Sequence, residues 1–249
     1  IAYHDSLNLQ PEIKNWISNW FDNLDDWCIS RDEPYYGFEI PGSKDLCGDK
    51  KYFYVWFDAP LGYLSISDSV GIKVSSMEHF IGKDIVYHHL LFWPSVLMAC
   101  NFPLPENFHV HGMLTVDGKK MSKSRGTYIS AEDFIFDPEL YRYFVADTSS
   151  LSVSDYNFSY VHFKDLINHS LLANLGNFCY RTLSFVSKVK ESSSKDFKLD
   201  LNYEPIKEAY LKKDFRLALK EILKISSSGN GFFQESAPWK GNKDAEVMY

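Results

Sequence analysis

Apolar residues recur at helical spacing from about 10 to 28, where LQPEIKNWISNWFDNLDDWC sets Ile13, Trp16, Ile17, Trp20 and Phe21 on one face and predicts an amphipathic helix. The pattern then changes. ISRDEPYYG reads as a loop over Ser30 to Tyr36, and the unbroken apolar run from Tyr52 to Phe57 reads as a buried strand ended by Pro60 and Gly62. EHFIGKD predicts a second short strand that turns at Gly82. Asp84 stands where it would cap a helix over DIVYHHLLFWPSVLMAC, bent at Pro94. NFHVHGMLTV predicts a third strand leading into a turn at Gly118.

Strand, helix and strand in this order predict an α/β fold, a parallel sheet with crossover helices whose ligands gather at the carboxyl ends of the strands. FDAP, GKD and KMSKS all fall at such ends. The crossover LSISDSVGIKVSS is short, close to the minimum of about 12 residues that can join parallel strands. From about 157 the period turns helical in HFKDLINHSLLANLGNFCYRTLSFVSKV, EPIKEAYLKKDFRLALKEILKI and FFQESAPW, which predicts a helical bundle with SSSKD as a linker after its first member. SSSGNG at 226–231 predicts a break, because both glycines cost helix stability. No internal repeat is visible.

With 249 residues, 45% of them hydrophobic and 24% charged, the chain can bury a core for one or two globular domains. No apolar run is long enough to cross a bilayer, and the N-terminus lacks the basic flank and cleavage site of a secretory signal, so a cytoplasmic address is expected. Ile1 in first place, and a helical pattern still running at Asp244 to Tyr249, make a fragment or the ordered part of a longer chain the expectation. Cys28, Cys47, Cys100 and Cys179 are scattered without a C-x-x-C pair, which predicts reduced thiols and neither a zinc knuckle nor a disulfide framework. A net charge of −7 argues against wholesale coating of nucleic acid and leaves room for a local basic patch.

GKKMSKSRGTY at 118–128 is such a patch. A loop carrying Lys120 and Lys123 at the mouth of a sheet can place ammonium charge on a polyphosphate, where charge builds as a phosphoryl group reacts. Ser122 and Ser124 can hydrogen-bond the same oxygens or shape the turn. A short Lys- and Ser-rich loop is by itself more often solvated surface. The spelling KMSKS followed by RG reverses that balance, because it is the signature loop of class I aminoacyl-tRNA synthetases. The ordered segments ISRD, GFEIP, YFYVWFDAPLGY, HFIGKDIVYHH with FWP, HVHG, KMSKSRGT, NLGNFCYR and APW resemble the methionyl-tRNA synthetases over nearly the whole chain, and WFDAPLGY and GKDIV are the segments that point to methionine.

The resemblance implies the second half of a Rossmann-like parallel-sheet catalytic domain over 1–126, a connecting, stem-contacting region over 127–156 and an α-helical anticodon-binding bundle over 157–249. It implies a methionine–tRNA ligase that joins methionine to ATP, supplied with Mg²⁺, as methionyl-adenylate and then charges tRNA(Met). Lys123 would hold the triphosphate and stabilise the transition state, with Lys120 ordering the loop. Gly82 and Asp84 would lie near the ribose of ATP, Asp84 also near the substrate ammonium, and His111, Gly112 and Leu114 would border the adenine. Ser122 completes the ATP set. Trp56, Ala59, Pro60, Tyr63, His89 and Trp93 match the methionine pocket, where aromatic faces suit a polarizable sulfur and a Tyr hydroxyl or His N–H can donate to it. Without the resemblance those aromatics would read as ordinary core.

His88 and His89 are about 100° apart on a helix, so only His89, one turn before Trp93, is assigned to the pocket. His109 and His111 share a strand face and invite a metal reading, but no Cys or carboxylate nearby in sequence completes a site. Asn177, Arg181 and Trp239 would read the anticodon, by hydrogen bonds and by stacking on splayed bases; without the resemblance, Asn177 and Arg181 would be a helix-surface pair. The His-x-Gly-His segment that class I synthetases carry, and the first half of their nucleotide-binding fold, do not occur in these residues, so this chain alone is expected to be a poor catalyst. Two other readings stay open: a class I synthetase for a branched aliphatic amino acid, and a non-catalytic tRNA-binding fragment. No membrane partner is expected.

Overall fold

A computed structural model of the chain describes residues 1–149, 152–188 and 201–240. The linker expected at SSSKD, and the helical pattern expected at Asp244 to Tyr249, lie outside the described residues. The chain divides into two compact units, Ile1–Gly112 and Met113–Tyr249. Among the described residues the architecture is mixed α/β, with three small sheets in place of one large one.

In the first unit, a short helix α1 (Ala2–Asp5) precedes α2 (Pro11–Asp22), which buries Ile13 and Ile17 on the predicted face and stops six residues before Cys28. Ser30–Asp32, expected in a loop, is strand β1, antiparallel to β2 (Lys51–Phe53), with α3 (Ser43–Cys47) between them. The expected strand over Tyr52 to Phe57 is therefore mostly absent. From Val55 the aromatic run winds into α4 (Val55–Asp58), a 3₁₀ turn (Ala59–Leu61) and α5 (Gly62–Ser69). An unbroken apolar run fits a buried strand and a buried helix equally, and here Pro60 sits at the first positions of a turn that continues the coil.

β3 (Glu78–Gly82) and β4 (Asn107–His111) pair in parallel, as expected, and the segment between them is helical. β2 is not a member of this sheet, so LSISDSVGIKVSS is no crossover between parallel partners. The connecting helix is not uniform. It opens as a 3₁₀ turn (Lys83–Ile85) N-capped by Gly82 without a side-chain cap, so Asp84 does not cap it; it widens to a π turn over His88–Phe92 and resumes as α6 (Trp93–Ala99). Pro94, at the start of α6, has no N–H for residue 90 and would press its ring on that carbonyl; the wide turn before it relieves both conflicts. Leu90, Leu97, Ile81, Val86, Phe108, Val110 and Trp93 form the buried core of this unit.

In the second unit the expected strand NFHVHGMLTV is broken after His111. Its end, β5 (Leu114–Val116), belongs to another sheet, between β6 (Lys119–Lys120) and β7 (Tyr156–Phe158). Asp117 and Gly118 adopt φ values of 47° and 73°, the pair of left-handed residues that closes a two-residue hairpin. α7 (Pro138–Thr148), capped by the Asp137 carboxylate on the Glu139 N–H, packs Phe144 against Phe158, Phe163 and Ile167. A long helical stretch follows: α8 (Tyr160–Leu166), a π segment (Ile167–Gly176) and α9 (Asn177–Val186). α10 (Glu204–Leu211) and α11 (Phe215–Ser236) complete the unit, with a 3₁₀ turn at Pro238–Lys240.

α11 runs unbroken through SSSGNG, against expectation. The small residues are the contact face. Ser226 is buried with its hydroxyl 3.0 Å from Asn174 Oδ1, Asn230 donates to the Asn174 carbonyl at 3.0 Å, and a Cβ on Gly229 would lie 2.5 Å from Phe178 Cζ. Close approach of α11 to the long helix compensates for the low helix propensity of these residues.

Candidate functional site

His89, Trp93, Trp56 and Tyr63 meet in the first unit, and His79 joins them. His89 is 1% exposed; its Nδ1 lies 3.0 Å from the Ile85 carbonyl, which can only accept, so Nδ1 carries the proton of the neutral ring. Nε2 is then an acceptor, and Tyr63 Oη donates to it at 2.9 Å. Both protons that the sequence reading offered to a sulfur atom are thus engaged by protein groups. The Trp56 ring stacks on His88 at 4.2 Å between centroids and meets His89 edge-on at 5.9 Å. The flat indole of Trp56 thus touches both neighbouring histidines, although they lie about 100° apart on the helix.

His79, which sequence reasoning passed over, is 5% exposed on β3 and accepts a hydrogen bond from the Trp93 indole N–H at 3.2 Å. Its ring lies 4.8 Å from Tyr63, 5.6 Å from His89 and stacks on Phe108 at 5.2 Å. Burial, with His89 beside it, holds its pKa down at about 4; burial lowers those of His88 and His89 as well. The strand alternation in EHFIG, which turns 79 and 81 inward, was the signal available for it. Pro60 is buried in the 3₁₀ turn, while Ala59 lines a cleft of ≈ 570 Å³ with Phe53, Phe57 and Asp58. Gly82 ends β3, Asp84 is exposed in the turn after it, and His111 Nδ1 lies 2.8 Å from the Gly112 carbonyl. His109 bonds Glu78 at 2.9 Å, and among the described residues no group of three His, Cys, Asp or Glu is placed to hold a metal ion.

In the second unit the GKKMSKSRGTY segment closes on itself. Thr127 Oγ1 accepts from the Ser122 N–H at 3.1 Å and donates to the Lys120 carbonyl at 2.9 Å; Ser122 and Ser124 hydroxyls are 3.0 Å apart. Met121 points inward and, with Leu114, Val116, Phe134, Tyr141 and Phe158, lines an apolar cavity of ≈ 240 Å³. Lys120 and Lys123 stay exposed, Lys123 with its ammonium 5.0 Å above the Tyr128 ring. One thioether anchors the loop while the charges around it face solvent.

Asn177, Arg181 and Trp239 also come together. Arg181 lies 4.8 Å over the Phe233 ring and 6.0 Å from that of Trp239, and bonds Gln234 at 2.8 Å; Trp239, 48% exposed, packs on Phe233 at 5.6 Å. Asn177, one turn before Arg181, is exposed beside Asn230.

Residues 2–183 match the family model described as tRNA synthetases class I (M). The methionine–tRNA ligase of Myxococcus xanthus (strain DK1622) is 36% identical over 269 residues, covering 96% of this chain and 38% of that protein. Among solved structures, a Mycobacterium tuberculosis methionyl-tRNA synthetase in complex with methionyl-adenylate aligns over 99% of this chain and 53% of its own, with a TM-score of 0.83 and 26% identity. The apo form of that enzyme, at 24% identity and a TM-score of 0.75, shows the likeness of fold alone. The chain thus spans 38% and 53% of the lengths of these relatives. With the family model covering most of its residues, the chain belongs to the class I tRNA synthetases of the methionyl type.

Proposed function

We propose that the chain is part of a methionine–tRNA ligase, which condenses methionine with Mg²⁺-ATP to methionyl-adenylate, releases pyrophosphate and esterifies tRNA(Met). The observation that carries the reading is the convergence of Trp56, Tyr63, His89 and Trp93 on one another, with the Tyr63 hydroxyl, the His89 Nδ1 proton and the Trp93 indole N–H each bonded within the protein. A wall of aromatic faces in which the donors of Tyr63, His89 and Trp93 are already engaged suits a thioether, which is polarizable and a weak acceptor, better than a polar side chain, which would lose much of its hydration without replacement. A methylene of difference is worth only about 1–3 kcal/mol in such a pocket, so ring shape and sulfur contact act together. The M. tuberculosis structure with methionyl-adenylate, alike in fold, supports the same substrate.

In this reading Asp84 meets the methionine ammonium and, with Gly82, the ribose of ATP, while His111, Gly112 and Leu114 border the adenine. Lys123, with Lys120 and Ser122, neutralises the triphosphate as the methionine carboxylate attacks the α-phosphorus; the exposed ammonium groups and the Thr127-closed loop suit that task. Asn177, Arg181 and Trp239 read anticodon bases. By function the chain divides into a catalytic part (1–126), a connecting region (127–156) and an anticodon-binding bundle (157–249).

The test is ATP–pyrophosphate exchange by the full-length parent protein. Methionine-dependent exchange supports the reading. Exchange driven by isoleucine or valine instead would replace it with a branched-chain synthetase, and tRNA binding without any exchange would leave a non-catalytic tRNA-binding protein.

A further inference from the structure

One buried polar side chain touches three of the residues assigned to the methionine pocket. His79 is the buried acceptor for the Trp93 indole, and its ring also touches Tyr63 and His89. We propose that His79 is a positioning residue: by accepting the Trp93 N–H on Nε2 it fixes the plane of that indole, and by ring contact it holds the Tyr63–His89 pair that completes the pocket wall. The proposal rests on the methionine reading above for its consequence and on geometry alone for its cause.

The tautomers leave little freedom. The Trp93 indole nitrogen can only donate, so His79 Nε2 must present a lone pair, and the neutral ring keeps its proton on Nδ1. Trp93 is 1% exposed, so an indole N–H deprived of this acceptor has no water to turn to. The ring would have to rotate toward another acceptor, and Tyr63, 6.1 Å from it and in contact with both histidines, would follow. Phe108, stacked on the far face of His79, blocks the histidine from moving instead. A neutral histidine at this place keeps the pocket in one shape, and the depression of its pKa by burial keeps it neutral at physiological pH.

Two substitutions in the full-length protein separate this role from bulk packing. His79→Leu keeps volume and removes the acceptor; His79→Gln offers an amide oxygen near the position of Nε2. The expected result is that His79→Leu raises the KM for methionine in pyrophosphate exchange about tenfold or more, with kcat and the KM for ATP changed less than about threefold. His79→Gln returns the methionine KM to within about threefold of the unsubstituted value. An unchanged methionine KM in His79→Leu overturns the proposal, and so does an equal defect in both variants or a parallel loss of kcat and ATP affinity. The ¹⁵N–¹H resonance of the Trp93 indole reads the hydrogen bond independently of activity. It should shift in His79→Leu and stay near its original position in His79→Gln. Absence of methionine-dependent exchange in the unsubstituted protein would refute the substrate reading while that resonance still judged the bond; an indole resonance indifferent to both substitutions would refute the positioning role itself.

Discussion

Thr127 holds the charged loop in shape with one hydroxyl, accepting from the Ser122 N–H and donating to the Lys120 carbonyl. Thr127→Val keeps the volume and removes both bonds, so adenylate formation should slow by roughly tenfold while thermal stability stays within about 0.5 kcal/mol, as suits an exposed loop. Single-turnover adenylate formation, set beside a melting curve, measures the two. Lys123→Ala should reduce the rate of adenylate formation far more than methionine affinity; an equal loss in both would deny the transition-state role. The buried histidines make a separate prediction. His79 binds its proton near pH 4 in the fold, and an unfolded histidine near its ordinary value of about 6.5, so between these limits the unfolded chain holds more protons and stability rises with pH. That stabilisation is complete above about pH 6.5 and is lost as the pH falls toward 4; His88 and His89, lowered by burial, act in the same direction. Urea unfolding at pH 7 and pH 5 should show the drop, and His79→Gln should reduce it. At this scale a motif or a spacing marked the candidates, as with Lys123, Tyr63 and Trp93, of which the last two come together with His89. It was silent on His79, because whether a lone histidine is bonded depends on what packs across the sheet from it.

Elements were legible where period and breaker agreed. α2, β3, β4 and the helical stretch after 157 follow their patterns, and the Asp117–Gly118 turn is where the glycine put it. The aromatic run at 52–57 was misread because an all-apolar segment carries no period. SSSGNG was misread for another reason: helix propensity counts glycine as a cost, while its value here lies in what it lets α11 approach. The two glycines should therefore differ in sign. A Cβ on Gly229 would stand 2.5 Å from Phe178 Cζ, whereas one on Gly231 meets nothing within 4 Å. Gly229→Ala should lower stability by about 1–3 kcal/mol through overpacking, and Gly231→Ala should raise it by up to about 1 kcal/mol through helix propensity. Thermal unfolding of the pair decides it. If both alanines stabilise, Phe178 yields at no cost and α11 is not held by close packing.

At the scale of the chain, the residues proposed for amino-acid activation and those proposed for RNA form two groups, each described within its own unit. Trp56, Tyr63, His89 and Trp93 bond and stack among themselves and with His79, while Arg181, Phe233, Gln234 and Trp239 form their own group at the join of α9 and α11. Substitutions without shared partners act independently to within a few tenths of a kcal/mol. Trp239 is the half-exposed ring of the second group, available to a splayed base, and a base stacked on an aromatic is worth about 1–3 kcal/mol. Trp239→Ala in the full-length protein should therefore lower kcat/KM for charging tRNA by roughly tenfold or more and leave methionine-dependent pyrophosphate exchange within about twofold. Arg181→Lys should give a milder version of the same split, because the ammonium keeps the charge but loses the planar contact with Phe233 and the bond to Gln234. A fall of exchange in step with charging would mean that the α9–α11 join supports the fold of the enzyme and not its reading of RNA.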